Sequence, residues 1–297
     1  MKIVQLIRSC LLVLGVLFAV PAMAGDSVVN SYGSLPPWLK AGWSNNPLWA
    51  DGQVEVDIYD ATTTLHGKPR SYTMTAYFSA TQAATKTGAE FTSESLAPVS
   101  AMKMTIVSEE ISTGDDAYDL AATVIVDRNN PYHVLNTIAT SHDWNGVTAK
   151  HFWGGNPPLL QAWSTFGAGH LQRPLPQDVV PMEAVPFFLR AMDYTTTASF
   201  KCLPTLMAHR LPWSGVVTEP EFFSLHAQSD GSETTTTAAG TFDCFRIKVS
   251  VPEGPVPMVL WYEKAFPNRL VAKTTASGKQ FILRKSERRK IPAGDPH

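Results

Sequence analysis

The 297-residue chain carries 24 lysines and arginines against 26 aspartates and glutamates, and its excess of acids grows to four once a basic leader containing Lys2 and Arg8 is removed. A near-neutral, slightly acidic chain has no broad cationic field, which excludes nucleic acid and anionic membrane as electrostatically held partners. The sole basic cluster, Arg284, Lys285, Arg288, Arg289 and Lys290 around Glu287, reads as a solvated strand end.

The first residues place Lys2 and Arg8 ahead of an apolar stretch from about Cys10 to Val20, followed by Pro21 and Ala22-Met23-Ala24. That pattern predicts a secretory signal peptide over residues 1–24, cleaved near Ala24. The apolar stretch is short for a bilayer span, so no stable transmembrane anchor is expected, and the mature chain should be periplasmic or secreted. Cleavage leaves Cys202 and Cys244 in a disulfide-permissive compartment, where they form either one bridge or two buried thiols.

Next come Trp38, Trp43 and Trp49, which read as large anchors pinning the N-terminal segment to the sheet, with a stacking lid over a groove as the alternative. The stretches "QVEVDIYDA", "SYTMTAYFSA", "AMKMTIVSEE", "YDLAATVIVD", "HVLNTIATSHDW" and "VTAKHFW" predict strands. In the first of them Val54, Val56 and Ile58 alternate with Glu55 and Asp57, so the acids are expected to face water. "GGNPPLL" at 154–160 and "LQRPLPQDVVP" at 171–181, rich in proline, read as connections, and "MEAVPFFLRAM" over 182–192 is the best helix candidate, with Pro186 predicting a kink or late start. "SDGSETTTTAAG" at 229–240 reads as an exposed turn or hairpin tip. Beyond it, "TFDCFRIKVSV" and three further strands, turned at Phe266-Pro267-Asn268 and Ser277-Gly278, predict an antiparallel meander able to curve around a groove. The fold class is therefore mainly β: a curved antiparallel sheet or open β-barrel with a short helical insertion. The mature residues 25–297 form a single β-rich domain or two β subdomains, 25–160 and 161–297.

The run Trp261, Tyr262, Pro267, Arg269, Leu270 and Val271, followed by Gly278, Leu283 and Ser286, resembles the closing meander of exported bacterial proteins of unknown function. That resemblance implies a curved sheet similar to the periplasmic lipoprotein carriers and transfers no catalytic residue. A second set, Trp49, Gly52, Glu55 and Tyr59 with Gly67, Arg70, Ser141, Trp144 and Gly146, resembles other uncharacterised secreted bacterial proteins. Such relatives often carry cysteine where this chain has Asn145, which removes thiol chemistry there.

"SHDWNG", at residues 141–146, places serine, histidine and aspartate side by side. With Asn145-Gly146 at a hairpin tip, Ser141 and Asp143 point to one face and His142 to the other, which excludes a local triad. The same register makes His142 and His151 diagonal neighbours beside Trp144, half of a metal site requiring a third ligand. Asp143 and Lys150 become a cross-strand pair on the other face. "GAGH" at 167–170 lacks the spacing of a phosphate loop, and Glu109-Glu110 and Asp115-Asp116 read as solvated acids. No cofactor is implied.

The leading functional expectation is a non-catalytic periplasmic envelope protein. It would bind a lipid or other apolar or amphipathic small molecule, with Trp144, Trp261, Tyr262 and Phe281 as candidate contacts. An envelope assembly module whose partner is another envelope protein stands second, and a metal-dependent hydrolase built on His142 and His151 third.

Overall fold

A computed structural model describes residues 34–65, 67–83, 99–111, 117–143, 146–165, 169–207, 221–252 and 257–290. The leader and its cleavage site, Trp144, Asn145, most of the "GAGH" stretch and the Asp115-Asp116 pair lie outside the described residues.

Fifteen strands among the described residues make one sheet. The chain enters at β1 (Gln53–Leu65) and meanders through β2 (Lys68–Ala83), β3 (Val99–Ile111), β4 (Ala117–Asp127), β5 (Val134–Asp143) and β6 (Gly146–Trp153) to β7 (Leu159–Ser164) and the edge strand β8 (Gly169–Pro174). It crosses to the opposite edge at β9 (Val179–Pro181). From there it returns through β10 (Thr197–Leu203), β11 (Phe223–Thr237), β12 (Gly240–Ser250), β13 (Met258–Glu263), β14 (Leu270–Thr275) and β15 (Gln280–Lys290), which pairs antiparallel with β1. Among the described strands only β9 and β10 pair in parallel. Four residues join the two edges, so the sheet curls into an open barrel, as the alternating strands and short turns imply.

Three strands overlap the two proline-rich stretches read as connections. β7 and β8 each span six residues, with Pro158 just ahead of one and Pro174 closing the other, positions where a strand tolerates a missing N–H. The threonine-rich tract is likewise mostly strand, the exposed end of β11 paired with β12 across a bulge at Ser229/Ser232.

Between β9 and β10 the chain turns into the barrel. Residues 182–184 and 189–191 are 3-10 turns flanking a four-residue helix α1 (Val185–Phe188), with Pro186 in its first turn, where its missing N–H costs nothing. Val185, Phe187, Phe188, Leu189, Ala191 and Met192 are all fully buried. This plug fills the concavity and joins the strands in one contiguous apolar cluster. Trp38, Trp43 and Trp49 are buried against it, so the tryptophans anchor the N-terminal segment rather than form an exposed stacking surface.

Gly154 closes β6 by donating from its N–H to the Leu135 carbonyl, and a Cβ there would lie 1.8 Å from the Val134 carbonyl oxygen. Backbone, not a flexible side chain, must yield. Gly154→Ala is therefore expected to destabilise the chain by about 2–3 kcal/mol, read as a lower urea midpoint at unchanged slope; a loss below about 0.5 kcal/mol would show that the strand ends can separate freely.

Candidate functional site

Two features of the interior bear on function: the post that holds the plug and a cleft at the barrel rim. The post is Arg190, whose side chain is 0% exposed. Its Nη1 meets Glu55 Oε1 at 2.8 Å, its Nε donates to the carbonyls of Pro267 and Asn268 at 3.3 and 3.2 Å, and its Nη2 donates to Pro267 at 3.2 Å. The guanidinium carbon lies 4.4 Å from the centroid of Phe78 and 5.6 Å from those of Trp43 and Trp49. Aromatic faces replace part of the lost hydration of a planar cation, which suits arginine better than lysine.

Glu55 and Asp57 thus face inward, contrary to the reading that placed them in water. Alternation assigned them correctly to one face of β1, but Val54 and Val56 on the other face are buried as well, so this part of the strand is covered on both sides and the counter-charge of the acids comes from the plug. Two carboxylates share one arginine. Burial pushes the Asp57 carboxyl up to about 7, reinforced by the charge of Glu55 and opposed by Arg190 and the hydroxyl of Ser286. Ser286 sits directly opposite Asp57 on β15 and also accepts from Arg269 Nη1 at 3.2 Å. Nearby, Tyr59 donates to the Leu270 carbonyl and Tyr262 to that of Pro186, both at 2.9 Å, tying β1 to β14 and β13 to the plug. Trp49, Glu55, Tyr59, Tyr262, Pro267, Leu270 and Ser286, on which the two sequence resemblances rest, converge around Arg190. At this node they are structural.

The cleft, about 270 Å³, opens where the N-terminal segment, the β4–β5 connection, the end of β6 and the approach to β9 meet. Val134, Phe152, Pro158, Val179 and Val180 line its apolar wall. Tyr132 seals one side by donating to the Asp178 carbonyl at 3.2 Å. Behind the wall Tyr132, Trp38, Phe188 and Phe200 pack in edge-to-face and tilted contacts, with centroids 5.1–6.5 Å apart, so the cleft abuts the aromatic base of the plug. Asn130 also lines the cleft, and its Oδ1 is buried without a hydrogen-bond partner. An apolar slot with one unused acceptor at its wall suits a small amphipathic group. A second, broader groove of about 450 Å³ beside Trp49 is lined largely by polar side chains, Lys103 and Arg128 among them.

The sequence-predicted contacts are dispersed. Tyr262 and Phe281 are core residues, Phe281 packing edge-on to Tyr72 at 6.2 Å. Trp261 lies on the outer face, hydrogen-bonded to Glu233 and 5.9 Å from Arg246. The concave side of the closing meander is packed core, with Ile247, Val249, Leu260 and Leu283 all at 0% exposure, and not a ligand cavity. What fills it is the plug, a segment whose destination no local pattern reveals.

The hairpin register also differs from expectation. Asp143 Oδ1 accepts from the Gly146 N–H at 2.8 Å, closing the turn one residue earlier and pairing Asp143 with Gly146. His142 therefore opposes Val147, while His151 opposes Ile138, four residues (~13 Å) along the strand. The two imidazoles share the outer face but are not neighbours. His151 Nε2 meets Asn136 Oδ1 at 2.9 Å and stacks on Trp153, and burial lowers its ring to about 4, while exposed His142 lies 3.9 Å from Asp119. Ser141 and Asp143 are buried on the inner face, opposite to His142, which upholds the exclusion of a local triad.

Cys202 and Cys244 are free, buried thiols. Cys202 lies opposite Phe223 and Cys244 opposite Glu233 on the intervening strand, ten positions (roughly 30 Å) apart, far beyond bridging distance. Both pack as small apolar groups, Cys202 with its sulfur 3.9 Å from that of Met182.

No family model matches the chain, and no curated protein matches it. Its structural neighbours are barrel-like proteins of unknown function. A beta-barrel-like protein of the domain of unknown function DUF1849 from Brucella abortus aligns at a TM-score of 0.46 and 7% identity, covering 79% of this chain and 97% of that one. A DUF1089 family protein from Pseudomonas aeruginosa aligns at 0.35 and 14%, covering 58% and 82%. A protein from Bacteroides fragilis assigned as exported, with a YmcC-like fold, aligns at 0.19 and 11%, covering 79% and 94%. No residue role passes from them to this chain. Among the described residues no helix is long and apolar enough to cross a membrane.

Proposed function

We propose that the protein is a non-catalytic, exported envelope protein that holds one apolar or amphipathic ligand, of the size of an acyl-chain end, in the rim cleft. The observation that supports this most is the conjunction of an apolar slot with a rigid floor. Val134, Phe152, Val179 and Val180 offer a surface that needs no rearrangement, and the Arg190 post holds the plug beneath it. A preformed apolar wall gains affinity from burial of ligand surface, roughly 25 cal/mol per Å², without first ordering itself. The unused Asn130 acceptor fits a hydroxyl or protonated acid at the polar end of such a ligand.

Native mass spectrometry of gently purified protein is expected to show a lipid-mass adduct that organic extraction removes. A Val180→Phe variant, which fills the slot, is expected to fold and lose the adduct. Wild-type protein that is consistently ligand-free and does not bind added fatty acid contradicts the reading.

A further inference from the structure

The two halves of the barrel differ on their outer faces. On β1, β11, β12 and β15 the outside is laced with ion pairs: Arg246 and Lys248 meet Asp230 at 2.6 and 2.7 Å, and Arg284 meets Asp60 at 3.0 Å. Across β3–β8 outward positions form three registered rows of six residues, flanked on β3–β6 by a shorter row of Glu109, Asp119, His142 and Val147. One row runs from Val107 to His170, the next from Thr105 to Gln172 and the third from Lys103 to Pro174. The single lysine or arginine in the array, Lys103, stands at its corner. His151, in the middle row, is held neutral at physiological pH by burial. Val107, Ile138 and Trp163, in the first two rows, are 47%, 44% and 46% exposed, and Ile125, Trp153 and Leu159 are half-buried in the third.

Six strands and three rows make a patch of roughly 24 Å by 14–20 Å, on the order of a few hundred Å². A stable homodimer buries about 800 Å² per partner, so the patch is too small to hold a second copy by itself. It has no cluster of positive charge for anionic headgroups, and the nearest acids, Glu109 and Asp119, stand outside it in the flanking row, Asp119 3.9 Å from His142. Large aliphatic side chains, two tryptophans and uncharged Thr, Asn and Gln match the chemistry of a zwitterionic bilayer interface, where indoles settle at headgroup depth. We propose that this outer face of β3–β8 docks the protein reversibly on a neutral lipid surface, with the ion-paired half turned to water. The idea stands on the face alone and does not require the rim cleft to hold a ligand.

The test is co-sedimentation of the full mature chain with phosphatidylcholine vesicles. Wild-type protein is expected to bind, and binding is expected to withstand added salt, since no charge contact carries it. The double variant Ile138→Lys/Trp163→Lys changes exposed positions only and is expected to weaken partitioning by at least about tenfold, whereas Arg284→Ala on the ion-paired half leaves it unchanged. Should the double variant fail to fold, Val107→Lys at the margin of the same patch provides the same comparison. Wild-type protein that stays in the supernatant, or binding that survives both lysine variants, overturns the proposal. So does a concentration-dependent dimer that the lysine variants dissolve, because the face would then belong to a second copy.

Discussion

Arg190→Met is expected to cost about 3–5 kcal/mol, the penalty typical of removing one partner from a fully buried ion pair. The substitution preserves much of the side-chain volume between Phe78, Trp43 and Trp49. It leaves the Glu55 carboxylate unpaired and strips the Pro267 and Asn268 carbonyls of their donors. Neutralising the acids as well separates charge from packing: in Glu55→Gln/Asp57→Asn/Arg190→Met most of the loss should return, since a site with no charge needs no counter-charge. Urea unfolding of the two variants checks this. A loss below about 1 kcal/mol in Arg190→Met would mean that the plug is held by its apolar contacts alone.

The second large effect is a pH dependence with an unusual sign. The folded carboxyl of Asp57, at about 7, is raised above its ordinary value of 3.8, chiefly by burial and then by Glu55. Between those two values the folded chain keeps a proton that the unfolded chain releases. The contribution to stability is thus fully present below about pH 4 and is lost as pH rises through 7, an effect of up to roughly 4 kcal/mol. Asp57→Asn mimics the protonated acid at every pH. It is expected to match wild type below about pH 4 and to become progressively more stable than it as pH rises, by about 3–4 kcal/mol near pH 8, seen as diverging urea midpoints. Parallel pH profiles for the two proteins would show that Asp57 ionises without penalty in the fold.

These two predictions concern the part of the molecule that the sequence concealed. Alternation placed Glu55 and Asp57 on one face of β1, which is correct. That their face is buried, as well as that of Val54 and Val56, depended on Arg190, 135 positions after Glu55 in a segment recognisable only as a kinked helix. A charge partner at that distance leaves no local trace. The same limit explains β7 and β8, whose bounding prolines imitate a connection, and the histidine pair, whose geometry rested on a turn that Asp143 closes one residue early. Legible signals were those with short-range causes: the long alternating strands, the turns at Phe266-Pro267-Asn268 and Ser277-Gly278, the anchoring tryptophans and Pro186 at a helix start. The rim cleft had no such signal, because its walls come from four separate segments. Only the two sets of motif residues hinted that β1 and the closing meander serve one centre, and that centre is the Arg190 post.

A diazirine-bearing fatty acid added to the purified chain without vesicles, photolysed and mapped by peptide mass spectrometry, tests the functional account most directly. Labelling concentrated at residues 130–134, 152–158 and 177–180, suppressed by excess unlabelled fatty acid and by Val180→Phe, is the predicted result. Labelling spread over the surface and indifferent to competitor would contradict the rim cleft as a ligand site.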